Sequence, residues 1–85
     1  MENVPNLLKA VANVVTRHRE EQGLSKRKLA ELAQIDRVYL LQIEQGKYRL
    51  TLNALFLLAN GLGMQPSELV AHIEEELKAN IRQLP

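Results

Sequence analysis

"IDRVYLLQIEQGKYR", residues 35–49, reads as one short helix that runs into a glycine and then a basic loop. At ~100° per residue, Leu40 and Ile43 fall on one face, the side a core would claim. Val38, Leu41 and Gln42 fall roughly on the opposite face, with Arg37 at its margin. Asp36 can cap the start of the helix, and Gln45–Gly46 close it. Two bare aliphatic side chains beside an arginine and a glutamine are an odd choice for water. They raise the question of which surface would want such a mixed face.

Helical patterns continue on both sides of this segment, and no strand pattern competes with them. Upstream, Leu7, Leu8, Val11, Val14 and Val15 form an apolar stripe on a first helix from about Asn6 to Glu21, stopped at Gly23. Ser25 can cap a second helix over Lys26–Ala33, with Leu29, Ala30 and Ala33 inward. Downstream, Thr51 can cap a fourth over Leu52–Asn60, closed by "GLG" at residues 61–63. Pro66, a good first-turn residue, opens a fifth that runs to about Asn80. The linkers are short, so sequence neighbours must pack closely. The expected architecture is an all-α, compact five-helix bundle, a single domain over residues 1–85.

Composition excludes several classes. The chain has 85 residues, 46% hydrophobic and only 4% aromatic, too apolar for disorder and suited to compact helical packing. It has no cysteine, hence no disulfide frame and no thiolate metal site, as expected in a reducing cytoplasm. The first ten residues lack the pattern of a signal peptide. The longest fully apolar run, Ala54–Ala59, is far shorter than the ~20 residues of a membrane span. His18 and His72 lie on separate helices and read as surface or packing residues, so no metal and no cofactor is expected. With no Ser/His/Asp arrangement, glycine-rich phosphate loop or carboxylate cluster outside the C-terminal helix, no enzymatic activity is expected.

The net charge of +1 is unevenly placed. Residues 24–49 carry Lys26, Arg27, Lys28, Arg37, Lys47 and Arg49 against only Glu31, Asp36 and Glu44. Residues 66–85 are acidic, through Glu68 and Glu74–Glu76, and residues 50–65 carry no charge. Lys26, Arg27 and Lys28 occupy the first turn of the second helix, where the helix dipole is already positive. Each cation there costs roughly 0.3–1 kcal/mol at low salt, a cost offset if a phosphate docks at that terminus. Three solvated surface charges are the plainer alternative. Lys47, Tyr48 and Arg49 follow on a loop that could grip a nucleic-acid backbone. Small Ala30 and Ala33 stand where the second helix would cross the third at the steep angle of a helix-turn-helix.

Residues 19–70 resemble the phage-repressor (XRE-type) helix-turn-helix family, with the fold of the lambda and 434 repressors. The family pattern LSQxxLAxxxGVSxxxIxxIExGxxxPxxxxLxxLAxxLGVxxxxL stands here as "LSKRKLAELAQIDRVYLLQIEQGKYRLTLNALFLLANGLGMQPSEL". It keeps the inward positions Leu29, Ala30, Ile35, Leu40, Ile43, Gly46, Leu52, Leu55, Leu58, Ala59, Leu62 and Leu69. "IDRVYLLQIEQG" is also similar to the controller proteins of restriction–modification systems, which often have Arg-x-Tyr near the start of this helix. Three departures stand out. The family's glutamine opening the second helix is Lys26, its turn glycine is Gln34, and its proline is Leu50. Gln34 must therefore either accept a positive φ or build the turn differently.

The resemblance implies a helix-turn-helix at about residues 26–45 whose third helix enters the DNA major groove, commonly in a two-fold dimer. It places base reading on Arg37, Val38, Leu41 and Gln42, which answers the opening question. Arginine pairs with guanine, glutamine with adenine, and aliphatic groups pack on thymine methyls. Backbone phosphates would fall to Ser25, Lys26, Arg27, Lys47, Tyr48 and Arg49. For Val38 and Leu41 an ordinary protein contact is the competing explanation, while Tyr39 is expected at the core margin. The resemblance also implies a partly buried ion pair between Arg19 and Glu44, fixing the third helix to the first.

Phe56 and Leu57 are left over once the fourth helix has filled the core with Leu55, Leu58, Ala59 and Leu62. Leu69, Ile73, Leu77 and Ile81 form a stripe at i+4 spacing on the C-terminal helix, about residues 66–80. Phe56, Leu57, Ile73 and Leu77 are therefore expected at a homodimer interface. Glu74–Glu76 should form a solvated face, with Glu74 pairing Lys78. The function expected is a sequence-specific, cytoplasmic, DNA-binding transcriptional regulator, a repressor or controller protein, dimeric on a pseudo-palindromic operator. The alternative is an antitoxin or another protein-interaction module on the same fold.

Overall fold

The structure, a computed structural model, describes the backbone of residues 2–82 and the side chains of residues 2–80. Five helices follow one another: α1 (Leu7–Glu21), α2 (Lys26–Ala33), α3 (Arg37–Glu44), α4 (Leu52–Gly61) and α5 (Pro66–Arg82). No strand occurs among the described residues. Three of the helices start at side-chain caps. The Ser25 hydroxyl accepts from the Lys28 N–H at 3.0 Å, and the Asp36 carboxylate accepts from Val38 and Tyr39 at 2.7 and 3.3 Å. The Thr51 hydroxyl accepts from the Ala54 N–H at 3.0 Å. Such a cap stabilises a short helix by about 1 kcal/mol. α1 starts differently: Asn6 takes a left-handed backbone, and its side chain makes no capping bond.

The core collects one face of every helix. Val14, Val15, Leu29, Leu40, Ile43, Leu58 and Leu69 are the largest fully buried side chains. Burying each contributes roughly 1.5–3 kcal/mol. Leu52, expected inward, is 71% exposed. It is the first helical residue after the Thr51 cap, and there it faces solvent rather than the bundle. α4 also runs one residue further than its sequence predicts, through Gly61. A Cβ at Gly61 would lie 2.9 Å from both the Ala33 Cβ and the Ala33 nitrogen. The small pair Ala33–Gly61 thus sets the close approach of α2 to α4, whereas the alanine was expected to serve the α2–α3 crossing.

α5 packs along α1, and here the side-chain partners differ from the sequence expectation. Glu76 does not sit on a solvated face. It accepts hydrogen bonds from Arg17 at 3.1 Å and Asn13 at 3.2 Å, tying the two helices together. The Arg17 bond, then the Asn13 bond, hold its carboxyl below the usual carboxylate range. Lys78 approaches Glu75 at 3.7 Å rather than Glu74. Ile73 is buried in the chain's own core, and Leu77 packs against that core while staying partly exposed. The side chain of Ile81, the last member of that stripe, lies outside the described residues.

The two histidines meet across the same seam, with ring centroids 4.6 Å apart. His18 Nε2 is buried with no hydrogen-bond partner among the described residues. Burial first, then the facing His72 and nearby Arg17, push the His18 pKa down, against the opposing pull of Glu21. The folded chain therefore binds fewer protons at this site than the unfolded chain. Its contribution is intact above about pH 6.5 and is lost as pH falls from there through the lowered folded pKa. The urea midpoint should drop between about pH 7.5 and about pH 5.5, and His18→Gln should flatten that drop. An unchanged pH dependence in the variant would remove His18 as its source.

Candidate nucleic-acid interface

The turn between α2 and α3 is built on Gln34, which takes φ 58°, ψ 42°. A glutamine thus adopts the left-handed backbone the family gives to glycine, an unfavourable conformation for a side chain with a Cβ. Two bonds hold it there: Ile35 N–H to the Ala30 carbonyl at 3.0 Å, and Gln34 N–H to that of Glu31 at 3.2 Å. On α3 the inner residues Leu40 and Ile43 are fully buried. On the opposite side Arg37 is exposed, Val38 is 59% exposed, and Leu41 and Gln42 are half-buried. Arg37 makes no ion pair or side-chain hydrogen bond among the described residues.

The cations expected around this helix are placed as follows. Lys26 and Arg27 are exposed in the first turn of α2, and Lys28 approaches Glu31 only at 4.0 Å. The Ser25 hydroxyl uses an acceptor site in capping, and its own proton remains available to donate. After α3 the chain turns at Gly46, φ +71°, where the Leu8 carbonyl of α1 would lie 3.7 Å from an added Cβ. Lys47, Tyr48 and Arg49 follow, all exposed.

That loop is tied to α3 by Tyr39, which is partly buried at the core margin, as expected. Its hydroxyl donates to the Arg49 carbonyl at 3.0 Å and accepts from the Thr51 N–H at 3.3 Å. The Tyr39 and Tyr48 rings lie 6.2 Å apart, tilted. The Arg49 guanidinium donates to the Asn3 side-chain oxygen at 2.8 Å, a contact no sequence spacing signals.

The far end of α3 is anchored by Arg19 and Glu44. Arg19 is 8% exposed, and its Nε and Nη2 donate to the two Glu44 oxygens at 2.8 and 3.0 Å. Nη1 donates to the Leu24 carbonyl at 2.9 Å, and Thr16 adds a hydroxyl donor to Glu44 at 3.0 Å. The Glu44 bond raises the Arg19 pKa further, against the opposing effect of burial. The pair joins the two residues that the family resemblance implies. Thr16 went unnoticed there, although it stands three residues before Arg19 on the same face of α1.

Of the four residues expected at a dimer interface, Phe56 is 54% exposed, Leu57 and Leu77 are half-buried, and Ile73 is buried in the core. Among the described residues, Leu52 and Val70, at 71% and 47% exposure, are the further large apolar side chains that α4 and α5 leave uncovered. Among the described residues no three His, Asp or Glu side chains are grouped as metal ligands, and no helix is long and apolar enough to cross a membrane.

Residues 16–69 match a family model described as helix-turn-helix. Among solved structures, the chain is similar to the restriction–modification controller protein C.Esp1396I. Identity is 30% and the TM-score 0.76, covering 84% of this chain and 91% of that one. The C.Esp1396I tetramer in complex with its natural 35 base-pair operator matches at 30% identity and a TM-score of 0.76. That match covers 82% of this chain and 92% of that one. The controller protein C.AhdI from Aeromonas hydrophila matches at 32% identity and a TM-score of 0.70, over 73% of this chain and 94% of that one. A sequence comparison with curated proteins finds no match.

Proposed function

The chain belongs to the helix-turn-helix family, and from that premise we infer a DNA-binding transcriptional regulator whose α3 reads the major groove. One observation carries this reading: Arg37 and Val38 are exposed and Leu41 and Gln42 half-buried on the side of α3 away from Leu40 and Ile43, and exposed cations stand on the segments before and after the helix. Arg37 can pair with guanine O6 and N7, and Gln42 with adenine N6 and N7. Ser25, Lys26, Arg27, Lys47, Tyr48 and Arg49 would hold phosphates, setting the register without reading sequence. The similar operator-bound tetramer supports duplex DNA as the partner. We assign the chain no catalytic step and no cofactor, and its place of action is the cytoplasm, with the DNA.

Exposed Phe56 and half-buried Leu57 and Leu77, with exposed Leu52 and Val70 on the same two helices, support a two-fold dimer through α4 and α5. Half-sites would then lie about one turn apart on the duplex, ~34 Å. The same exposed apolar residues favour one other reading, an antitoxin-like subunit that uses them to dock a different protein. Selection from a randomised duplex pool at two salt concentrations separates the two. The regulator yields a palindrome with fixed spacing and salt-dependent affinity. The interaction module yields no enrichment.

With the operator in hand, Arg37→Ala should cost about 1–3 kcal/mol and relax the preference at one position of each half-site. Lys47→Ala should weaken all sequences alike and reduce the salt slope by about 1. An intact preference in Arg37→Ala would remove that residue from the reading face.

A further inference from the structure

We propose that Val38 makes this protein a reader of the pyrimidine C5-methyl group, so that 5-methylcytosine, like thymine, strengthens binding at the position Val38 faces. The proposal rests on the groove-reading role of α3 given above. Val38 is 59% exposed in the first turn of α3, directly after Arg37. Its backbone is fixed, since its N–H donates to the Asp36 carboxylate at 2.7 Å. Its side chain is stiff as well, because a β-branched residue in a helix keeps one strongly preferred χ1. The two methyl groups are therefore set in place before any ligand arrives, and little entropy is lost in using them.

Val38 has no hydrogen-bonding group and cannot read the donor and acceptor pattern of a base. The one apolar group that a base edge offers in the major groove is the C5-methyl of thymine. That methyl sits on the same ring carbon in 5-methylcytosine and projects into the same groove. A contact that rewards one must reward the other, whatever purine lies opposite. Leu41, half-buried one turn later, extends the apolar strip, so the methyl would be shielded rather than left in water.

The test places thymine, deoxyuridine, cytosine and 5-methylcytosine in turn at each pyrimidine of the selected operator and measures affinity with wild type and Val38→Ala. Thymine over deoxyuridine isolates the methyl opposite adenine, and 5-methylcytosine over cytosine isolates it opposite guanine. At one pyrimidine of each half-site both ratios should be about four-fold, corresponding to about 0.8 kcal/mol for one buried carbon. Both should fall to about one in Val38→Ala, which gains helix propensity at an exposed site and so keeps the fold.

Ratios of one at every pyrimidine, with wild-type binding intact, would overturn the proposal and leave the DNA-reading role standing. Ratios that survive in Val38→Ala would overturn it by moving methyl reading to another residue. Failure to bind any duplex would bring down the groove reading, and this proposal with it.

Discussion

Replacing Glu44 with alanine should lower the unfolding free energy by about 3–5 kcal/mol, the largest loss expected from any single surface-distant polar change in this chain. The attraction lost is the smaller part of the effect. Arg19 is 8% exposed and would keep only the Leu24 carbonyl as a close acceptor and the exposed Glu20 carboxylate at 3.9 Å, so its charge would stay buried with only a weak, solvent-screened counterion. The Thr16 hydroxyl would lose its acceptor as well. A chain of this length has roughly 4–13 kcal/mol in total, so the variant should melt at least about 12 °C lower.

Replacing both partners tests the cause. Arg19→Met with Glu44→Met removes both charges and fills the space with apolar volume, so much of the loss should return. Denaturant unfolding of wild type, Glu44→Ala and the double variant measures this. A double variant no better than Glu44→Ala would show that the geometry of the pair, rather than the stranded charge, sustains the fold.

Gly61→Val is expected to cost about 3 kcal/mol, near the upper end for overpacking. Even the first added carbon would meet the Ala33 nitrogen and Cβ at 2.9 Å and its Cα at 3.0 Å. Those are backbone and near-backbone atoms of α2, with no flexible end to swing away. Helix propensity pulls the other way, since Val is slightly better than Gly inside a helix. That gain is a few tenths of a kcal/mol and cannot offset a clash that forces two helices apart. Urea unfolding decides it. A midpoint at or above wild type would mean that α2 and α4 separate without penalty.

The features that were legible in the sequence are local or are periodic over one helix. Ser25, Asp36 and Thr51 declare helix starts because a short polar side chain can reach back to an N–H three residues on. Leu40 and Ile43 separate from Arg37 and Val38 because 3.6 residues make a turn. The Arg19–Glu44 pair came from the family resemblance, since nothing in its spacing of 25 residues encodes a contact.

What escaped the sequence is which neighbour covers which face. Ile73 and Leu77 read as one stripe, and only the docking of α5 on α1 buries Ile73 while leaving Leu77 half-exposed at the edge of the core. Glu76 finds Arg17 from 59 residues away, so its run of three glutamates looked merely solvated. Gly61 resembled a helix stop, although its role is to make room for Ala33. For the proposed reading face, the helical period separates its side chains from the core and the fold leaves Arg37 and Val38 exposed.

The two hydrogen bonds of the Tyr39 hydroxyl have a consequence for the duplex. They join a residue of α3 to the backbone on both sides of Leu50, so the helix and the cationic loop after it form one stiff caliper. On the proposed function its jaws are the reading helix and the phosphate grip, and their separation is set within the chain. A duplex gripped at both places must match that opening, and where its groove does not, the DNA has to bend or twist to fit. Steps that deform cheaply are then favoured at positions no side chain touches. Part of the sequence preference of this protein would thus be written in the stiffness of its operator.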